Sequence, residues 1–168
     1  MLYTVDRTNS LVEGAKIGLK NIGLFKPMHL HDYALKMFPD GLSHHGEYYF
    51  FSLEPACSKP EFMIELLFEQ VRRLTHPERP SRFQSMFAVD SIEKAQEFIA
   101  RCRADSARIF EISGTTEFKA NMNLLHSNHP SLATSWYAEQ YWAGNDGGHP
   151  AFWEYLVSGQ VTIGNKVL

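Results

Sequence analysis

Three short polar clusters carry the side chains of this sequence that are best suited to bind or transform a charged ligand. They are Asp6-Arg7, Ser81-Arg82 together with Ser85, and the single carboxylate Glu154. An arginine side chain offers a planar fork of hydrogen-bond donors that suits phosphate and carboxylate groups. If the strands beside these clusters are spatial neighbours, one site would contain guanidinium groups, hydroxyls and one carboxylate.

Glu154 stands at the start of a predicted β-hairpin. The segment Phe152–Ile163 combines an apolar strand, a turn at Ser158-Gly159 and a second apolar strand. Because side chains alternate along a strand, Glu154 and Leu156 are predicted to share one face. A solvated strand end is the alternative interpretation, since glutamate is seldom fully buried.

Arg7 directly follows a predicted strand, Leu2–Val5, in a loop whose Asp, Asn and Ser residues favour local hydrogen bonds. Its guanidinium is a candidate for binding a phosphate or a carboxylate. The alternative interpretation is one more surface charge.

The histidines and cysteines do not predict a metal site. Four histidines occur in one part of the sequence, at His29, His31, His44 and His45. They stand beside helix breakers rather than on elements that would make their ligand atoms converge. Cys57 and Cys102 have no metal-ligand spacing. We therefore expect no metal, and a metal hydrolase is a distant alternative.

The composition fits one domain. The chain has 168 residues, 44% of them apolar, which is enough to bury a substantial core. The formal net charge of −3 gives no electrostatic reason to expect a nucleic-acid or membrane-surface protein. No signal-peptide pattern or membrane-spanning apolar run is present. We expect a soluble protein, cytoplasmic or delivered into a target cell without a cleavable signal peptide, and the oligomeric state is open.

Periodicity and capping residues predict an α+β order of elements. Helices are predicted at His29–Phe38, from Ser58 to the turn at Pro77, at Ile92–Cys102 and from Pro130 to about Trp142. Strands are predicted at Leu2–Val5, Glu47–Ser52, after Ser81, at Ala107–Ser113 and in the terminal hairpin, and Phe118–Leu125 is a strand or a loop. This order indicates a single domain over residues 1–168 with mostly antiparallel strands.

The helix that starts near Ser58 is predicted to be amphipathic, with no chemistry assigned to it. Its predicted apolar stripe is Met63, Leu66, Leu67, Val71 and Leu74. Its predicted outer face carries Glu65, Glu69, Arg72 and Arg73, where opposite charges three or four residues apart support the helix.

Three segments, taken in order, resemble the strand motifs of ADP-ribosyltransferase-fold proteins. They are Leu2–Arg7, Pro80–Ala88 followed by a helix with Ala95, and Glu154–Val157 with its turn and Val161–Ile163. The similarity is to the branch built on arginine, serine and glutamate, which includes small bacterial members and NAD-degrading toxins. It spans the whole chain and implies a split antiparallel sheet with flanking helices that holds NAD in an extended cleft.

The resemblance implies NAD-binding roles for five residues. Arg7 matches the first-strand arginine that grips the phosphates or ribose of NAD, and Tyr3 belongs to the same motif. Ser85, or less well Ser81, matches the serine that shapes the nicotinamide-ribose pocket. Arg82 is a candidate for a further phosphate or acceptor contact, and a loop charge is its alternative interpretation.

Glu154 matches the catalytic glutamate of the family. Nicotinamide leaves ribose as a neutral group through an oxocarbenium-like transition state, and a carboxylate bound to the ribose hydroxyl stabilises the growing positive charge. The aromatic residues Tyr48, Tyr49 and Phe87 are candidates to stack on nicotinamide, although core packing is the commoner role of such side chains.

The resemblance implies an enzyme that consumes NAD as a substrate and transfers ADP-ribose to a macromolecular acceptor, a protein rather than a nucleic acid. Phe152 stands where arginine-modifying members have a second acidic residue, so transfer to arginine is not predicted. The middle motif lacks the full serine-threonine-serine run, and the long interval before Ser81 allows inserted helices. The alternatives are an NAD glycohydrolase, in which water replaces the acceptor, and an inactive binding module. A role as toxin, effector or defence protein is left open.

Overall fold

Two antiparallel β-sheets form the framework of the chain. The computed structural model describes residues 1–52, 59–126 and 128–168. The strands within those residues are β1 (Leu2–Asp6), β2 (Lys16–Ile17), β3 (Met86–Ala88), β4 (Arg108–Ser113), β5 (Thr116–Asn121), β6 (Trp153–Ser158) and β7 (Val161–Lys166). One sheet has the order β1-β4-β7-β2, and the other has the order β3-β6-β5. Every pairing within them is antiparallel, as the sequence predicts.

The two strands and the turn of the predicted terminal hairpin are confirmed, but the hairpin pairing is wrong, because the two strands pair with other strands in different sheets and not with each other. Strand β6 belongs to the three-stranded sheet and β7 to the four-stranded sheet. Gly159, in the turn between them, has a φ of 78°, which glycine adopts without steric cost. Buried apolar side chains from both sheets form one cluster, which is made of Leu2, Ala88, Phe110, Ile112, Val157, Val161 and Ile163.

Helices complete the α+β fold. Those in the described part of the chain are α1 (Met28–Met37), α2 (His44–Phe51), α3 (Glu61–Thr75), α4 (Ile92–Cys102) and α5 (Ser131–Ala143). Four of the five correspond to predicted helices, with small differences at their ends. The predicted cap residue Ser58 lies outside the described residues. None of the described helices is long and apolar enough to cross a membrane.

The prediction of a strand at Glu47–Ser52 is wrong, because residues 47–51 belong to helix α2 and Ser52 is the cap at its C-terminal end. Ser43 caps this helix by accepting a hydrogen bond from the Gly46 amide at 3.2 Å, and Glu47 lies in the first turn. The aromatic run that suggests a strand instead packs Phe50 against the ring of Phe83, at 5.9 Å between centroids. Capping and tertiary packing therefore outweigh the β-propensity of the aromatic side chains.

The predicted orientation of α3 is wrong in part: Val71 is buried as predicted, but several other residues differ. Met63 and Leu74, predicted to be buried, are 54% and 82% exposed. Glu65 and Glu69, predicted to face solvent, are 6% and 1% exposed. The helix packs against α5 through an apolar cluster that includes Phe68, so its two glutamates enter the interior and require buried partners.

Two short 3₁₀ turns complete the described structure. One spans Arg82–Gln84 and leads into β3, and the other spans Met122–Leu124 and follows β5. The segment predicted as strand or loop, Phe118–Leu125, is therefore a strand up to Asn121 and a turn beyond it.

Candidate functional site

Strand β6 places Glu154 on the inner face of the three-stranded sheet. Its backbone pairs with Ala120 of β5, and Leu156, two residues further along, is fully buried on the same face. Glu154 is only 4% exposed. The interpretation of Glu154 as a solvated strand end is therefore wrong, and its charge requires a partner inside the protein.

Arg82 is that partner. Its Nη1 group donates a hydrogen bond of 2.5 Å to Oε1 of Glu154. The opposite edge of the guanidinium binds Glu65 of α3 through two hydrogen bonds, from Nε to Oε2 at 2.8 Å and from Nη2 to Oε1 at 2.9 Å. Arg82 is 5% exposed, so it is a buried bridge between two carboxylates and not a loop charge.

The turn that carries Arg82 is fixed by its neighbours. The Ser81 hydroxyl caps it by accepting a hydrogen bond from the Phe83 amide at 3.2 Å. The Phe83 carbonyl in turn accepts hydrogen bonds from the backbone amide and the hydroxyl of Ser43, at 2.9 and 3.1 Å. Gly46 lies so close to this carbonyl that a Cβ atom would overlap it. The start of α2 thus holds the arginine in position.

Tyr141 of α5 completes the cluster. Its hydroxyl donates to Oε1 of Glu154 at 2.8 Å and accepts from Nη1 of Arg82 at 2.5 Å. Burial, together with the charge of Glu154, raises the pKa of Tyr141 well above its usual value. The phenol therefore stays protonated and remains a donor to Glu154.

Glu65 is held ionised. Burial alone would raise the pKa of this carboxyl, but the charges of Arg82 and His45 outweigh burial and hold the pKa well below its usual range. Nε2 of His45 lies 3.3 Å from Oε1 of Glu65. Burial lowers the pKa of Arg82, but Glu154 and Glu65 raise it well above its usual value, so the guanidinium remains charged. We call Glu65, Arg82, Tyr141 and Glu154 the buried ionic cluster.

Ser81 and Ser85 lie beside the buried ionic cluster, and both hydroxyls have partners within the fold. Ser81 donates to Oε2 of Glu69 at 2.8 Å, and Ser85 donates to the Ser81 carbonyl at 2.7 Å. Glu69 also binds Arg72 through two hydrogen bonds, of 3.0 and 2.8 Å. Glu65 and Glu69, one turn apart on α3, thus each bind an arginine through two hydrogen bonds: Glu65 binds Arg82, and Glu69 binds Arg72.

The other two predicted NAD-binding residues, Arg7 and Tyr3, make no described contact with the cluster. Arg7 is exposed, and its guanidinium carbon lies 5.9 Å from the centroid of the Phe98 ring. Burial, together with the charge of Glu65, raises the pKa of Tyr49, and the charges of Arg82 and Arg7 offset part of this increase. Tyr3 packs its side chain against an apolar cluster that contains Phe152.

Sequence reasoning missed Glu65 and Tyr141. The available signal for Glu65 was its spacing from Phe62 and Phe68, three residues away on either side, which places a carboxylate on an apolar face. Tyr141 had no comparable signal, because a tyrosine in an aromatic helix more often belongs to the core. The structure thus brings together Arg82 and Glu154 from the predicted set and adds two partners.

One oxygen of Glu154 is free of protein partners. Arg82 and Tyr141 both bind Oε1, whereas Oε2 accepts no hydrogen bond from the described residues. Oε2 is not among the buried side-chain atoms of the described residues that lack a partner. The cluster therefore presents a carboxylate that is anchored at one oxygen and has no described hydrogen bond at the other.

Two cavities lie elsewhere on the surface. One of about 320 Å³ is lined by three histidines and Tyr137, and the other, of about 280 Å³, is lined by residues 20–25 and side chains of α2. Neither is lined by a member of the buried ionic cluster. Within the described residues, no group of three or more His, Cys, Asp or Glu side chains is arranged to hold a metal ion.

Comparison with known proteins identifies the family. No curated protein matches the chain. A family model described as "Protein of unknown function (DUF2441)" matches residues 29–168. The matched region contains Ser81, Arg82, Ser85 and Glu154, whereas Arg7 precedes it. Because the match covers most of the 168 residues, the chain belongs to the DUF2441 family.

Proposed function

We propose that this protein is an NAD-consuming mono-ADP-ribosyltransferase with Glu154 as its catalytic residue. The proposal joins the resemblance of three strand segments to the ADP-ribosyltransferase motifs with the surroundings of Glu154. Two antiparallel sheets with flanking helices are compatible with the split-sheet architecture that the resemblance implies. The observation that carries the proposal is the free Oε2 of an otherwise anchored, buried carboxylate.

The surroundings of Glu154 suit the chemistry of NAD cleavage. The bond between the ribose carbon and the nicotinamide nitrogen breaks, its electron pair leaves with neutral nicotinamide, and positive charge develops on the ribose. A carboxylate that accepts a hydrogen bond from a ribose hydroxyl stabilises this charge. Arg82 and Tyr141 hold Oε1, so Oε2 can act on the ribose without reorganisation of the side chain. The acceptor nucleophile then bonds to the ribose carbon and loses its proton.

Arg7 keeps its proposed role, because it is exposed and accessible to the NAD phosphates. Ser81 and Ser85 are buried with bonded hydroxyls, so we propose that they shape the pocket through the turn that carries Arg82 and do not contact NAD. Tyr3 enters the proposal through the resemblance alone. Phe152, two residues before Glu154, is 1% exposed and packs in an apolar cluster. No acidic group occupies that position to activate an arginine of the target. We therefore propose that the acceptor is a protein side chain other than arginine.

A second candidate function comes from another class. Arg82 neutralises Glu154 inside the protein, as a purely structural ion pair would. On this interpretation the protein is a catalytically inactive binding module. It would show no NAD-dependent change in thermal stability, whereas a ligand at 100 times its Kd stabilises a protein by about 2.7 kcal/mol.

The test is release of nicotinamide from NAD by the purified protein, with and without cell lysate as a source of acceptor. We expect release that depends on Glu154, so that Glu154→Gln lowers the rate by about 100-fold or more. The matched control is Glu117→Gln, which makes the same chemical change at an exposed position of the neighbouring strand β5. It should retain the wild-type rate.

The outcomes separate the candidates. Release that requires lysate establishes a transferase, and release without lysate indicates an NAD glycohydrolase that uses water. Absence of release, combined with no thermal shift on addition of NAD, favours the binding module. Wild-type activity in Glu154→Gln would refute the assignment of the catalytic residue.

A further inference from the structure

Glu65 and Glu154 share one guanidinium unequally. Glu65 binds two donors of Arg82, Nε and Nη2, at 2.8 and 2.9 Å. Glu154 receives only Nη1, and only through Oε1. Side-by-side binding of both carboxylate oxygens is the preferred geometry between arginine and a carboxylate. Glu65 has this geometry and Glu154 does not, so Glu65 determines how much of Arg82 is left for Glu154.

The surroundings of Arg82 restrict its movement. The guanidinium carbon lies 4.5 Å from the centroid of the Phe87 ring and 5.4 Å from that of Tyr141. Cation–π attraction holds the guanidinium beside these rings. A small change of the Arg82 side-chain torsions beside the rings is the movement that would exchange one carboxylate partner for the other.

Charge favours such an exchange when Glu65 is neutralised. In the native cluster two buried carboxylates compete for one cation. If Glu65 loses its charge, Glu154 becomes the stronger partner, because it is then the only one of the two side chains that attracts the guanidinium as an opposite charge. Arg82 would then bind both oxygens of Glu154 and cover Oε2.

We propose that Glu65 is a positioning residue that holds Arg82 on one oxygen of Glu154 and so keeps Oε2 free for a ligand hydroxyl. The effect of Glu65 on turnover rests on the proposed function, whereas its effect on the geometry of Arg82 does not. In the proposed reaction, a covered Oε2 cannot stabilise charge on the ribose. Loss of Glu65 therefore lowers kcat more than it changes KM.

The test compares full-length wild type with Glu65→Gln and with the matched control Glu69→Gln. Glu69 lies one turn further along α3, is buried as deeply, and binds Arg72 in the same side-by-side geometry. Glutamine at position 69 retains an oxygen that can accept the Ser81 hydroxyl. Each variant is studied by crystallography, by thermal unfolding and by the kinetics of nicotinamide release.

We expect an Arg82 nitrogen within about 3 Å of Oε2 of Glu154 in Glu65→Gln, and no such contact in wild type or in Glu69→Gln. Both variants should unfold at lower temperature than wild type. Only Glu65→Gln should lose kcat, by about tenfold or more, with little change in KM. If Glu65→Gln does not fold, Glu65→Met replaces it, because methionine fills a similar volume without polar atoms.

Two results would overturn the inference. The first is a structure of Glu65→Gln in which Arg82 still contacts only Oε1 of Glu154, or no longer contacts Glu154. The second is an equal loss of kcat in Glu65→Gln and Glu69→Gln. If wild type releases no nicotinamide, the proposed function fails, and the crystal structures alone decide whether Glu65 positions Arg82.

Discussion

Replacing Arg82 by methionine should unfold this protein at a much lower temperature. Methionine retains most of the side-chain volume but removes the cation that Glu65 and Glu154 share. Their side chains are only 7% and 6% exposed, so water can replace only a small part of the lost interaction. Breaking a buried ion pair by removing one partner costs about 3 to 5 kcal/mol. For a chain of 168 residues, this loss corresponds to a decrease in Tm of about 10 °C.

The destabilisation of Arg82→Met should depend on pH. Without the guanidinium, burial raises the pKa of the Glu65 carboxyl in the folded state above its unfolded value. A raised pKa makes the folded state bind protons more readily than the unfolded state, so the variant regains stability as the pH falls toward 5. Thermal unfolding followed by far-ultraviolet circular dichroism at pH 5 and pH 7.5 measures both effects.

The control is a triple variant, Arg82→Met with Glu65→Gln and Glu154→Gln, which removes all three charges. It should recover most of the lost stability at pH 7.5, because no unpaired charge remains in the interior. A loss below about 1 kcal/mol in Arg82→Met, which is typical of exposed ion pairs, would refute the buried cluster. So would a loss that does not change between the two pH values.

Three further predictions concern neighbouring positions. Tyr141→Phe removes a hydroxyl that binds both Glu154 and Arg82, and it should lower stability by about 1 to 3 kcal/mol in urea unfolding. The pKa of Glu65 in the folded state lies below its usual value of 4.5, so ionised Glu65 stabilises the fold fully above about pH 4.5, and this stabilisation is lost as the pH falls further. Glu65→Gln should therefore make the decrease of Tm at acid pH smaller. Gly46→Ala places a Cβ atom against the Phe83 carbonyl, so its Tm should fall, whereas Gly23→Ala, which meets open space, should not lower it.

The sequence predicts the two terminal strands, the turn between them and the alternation of their side chains well, because these depend on local pattern, but it does not predict that the strands join different sheets. Turn residues at Ser158-Gly159 separate two apolar runs, and the period of two places Glu154 on the face of Leu156. The burial of Glu154 was not predictable in the same way. It depends on Arg82, which lies 72 residues earlier in the chain, and on Tyr141 from another helix.

Helix α3 shows how a buried charge misleads an analysis by periodicity. The rule that charged side chains face solvent assigns Glu65 and Glu69 to the outside of the helix. In the structure, the energy of burying each carboxylate is offset by an arginine, and Arg82 comes from a turn outside the helix. A single sequence does not indicate which distant arginine fulfils this requirement. The same limit applies to α2, where contacts with the Arg82 turn outweigh the strand propensity of its aromatic residues.

The arrangement of the buried ionic cluster is poorly suited to stability alone. Well-packed apolar side chains of similar volume would often stabilise a protein as much as a buried ion pair does, without the cost of removing charges from water. The cluster does provide a carboxylate that pairs with a guanidinium, is held at one oxygen by two hydrogen bonds and has no described hydrogen bond at the other. Such a group is prepared in advance to stabilise a positive charge that develops next to it. Its position on a central strand, held from two helices and a turn, gives Glu154 the rigidity that such a role requires.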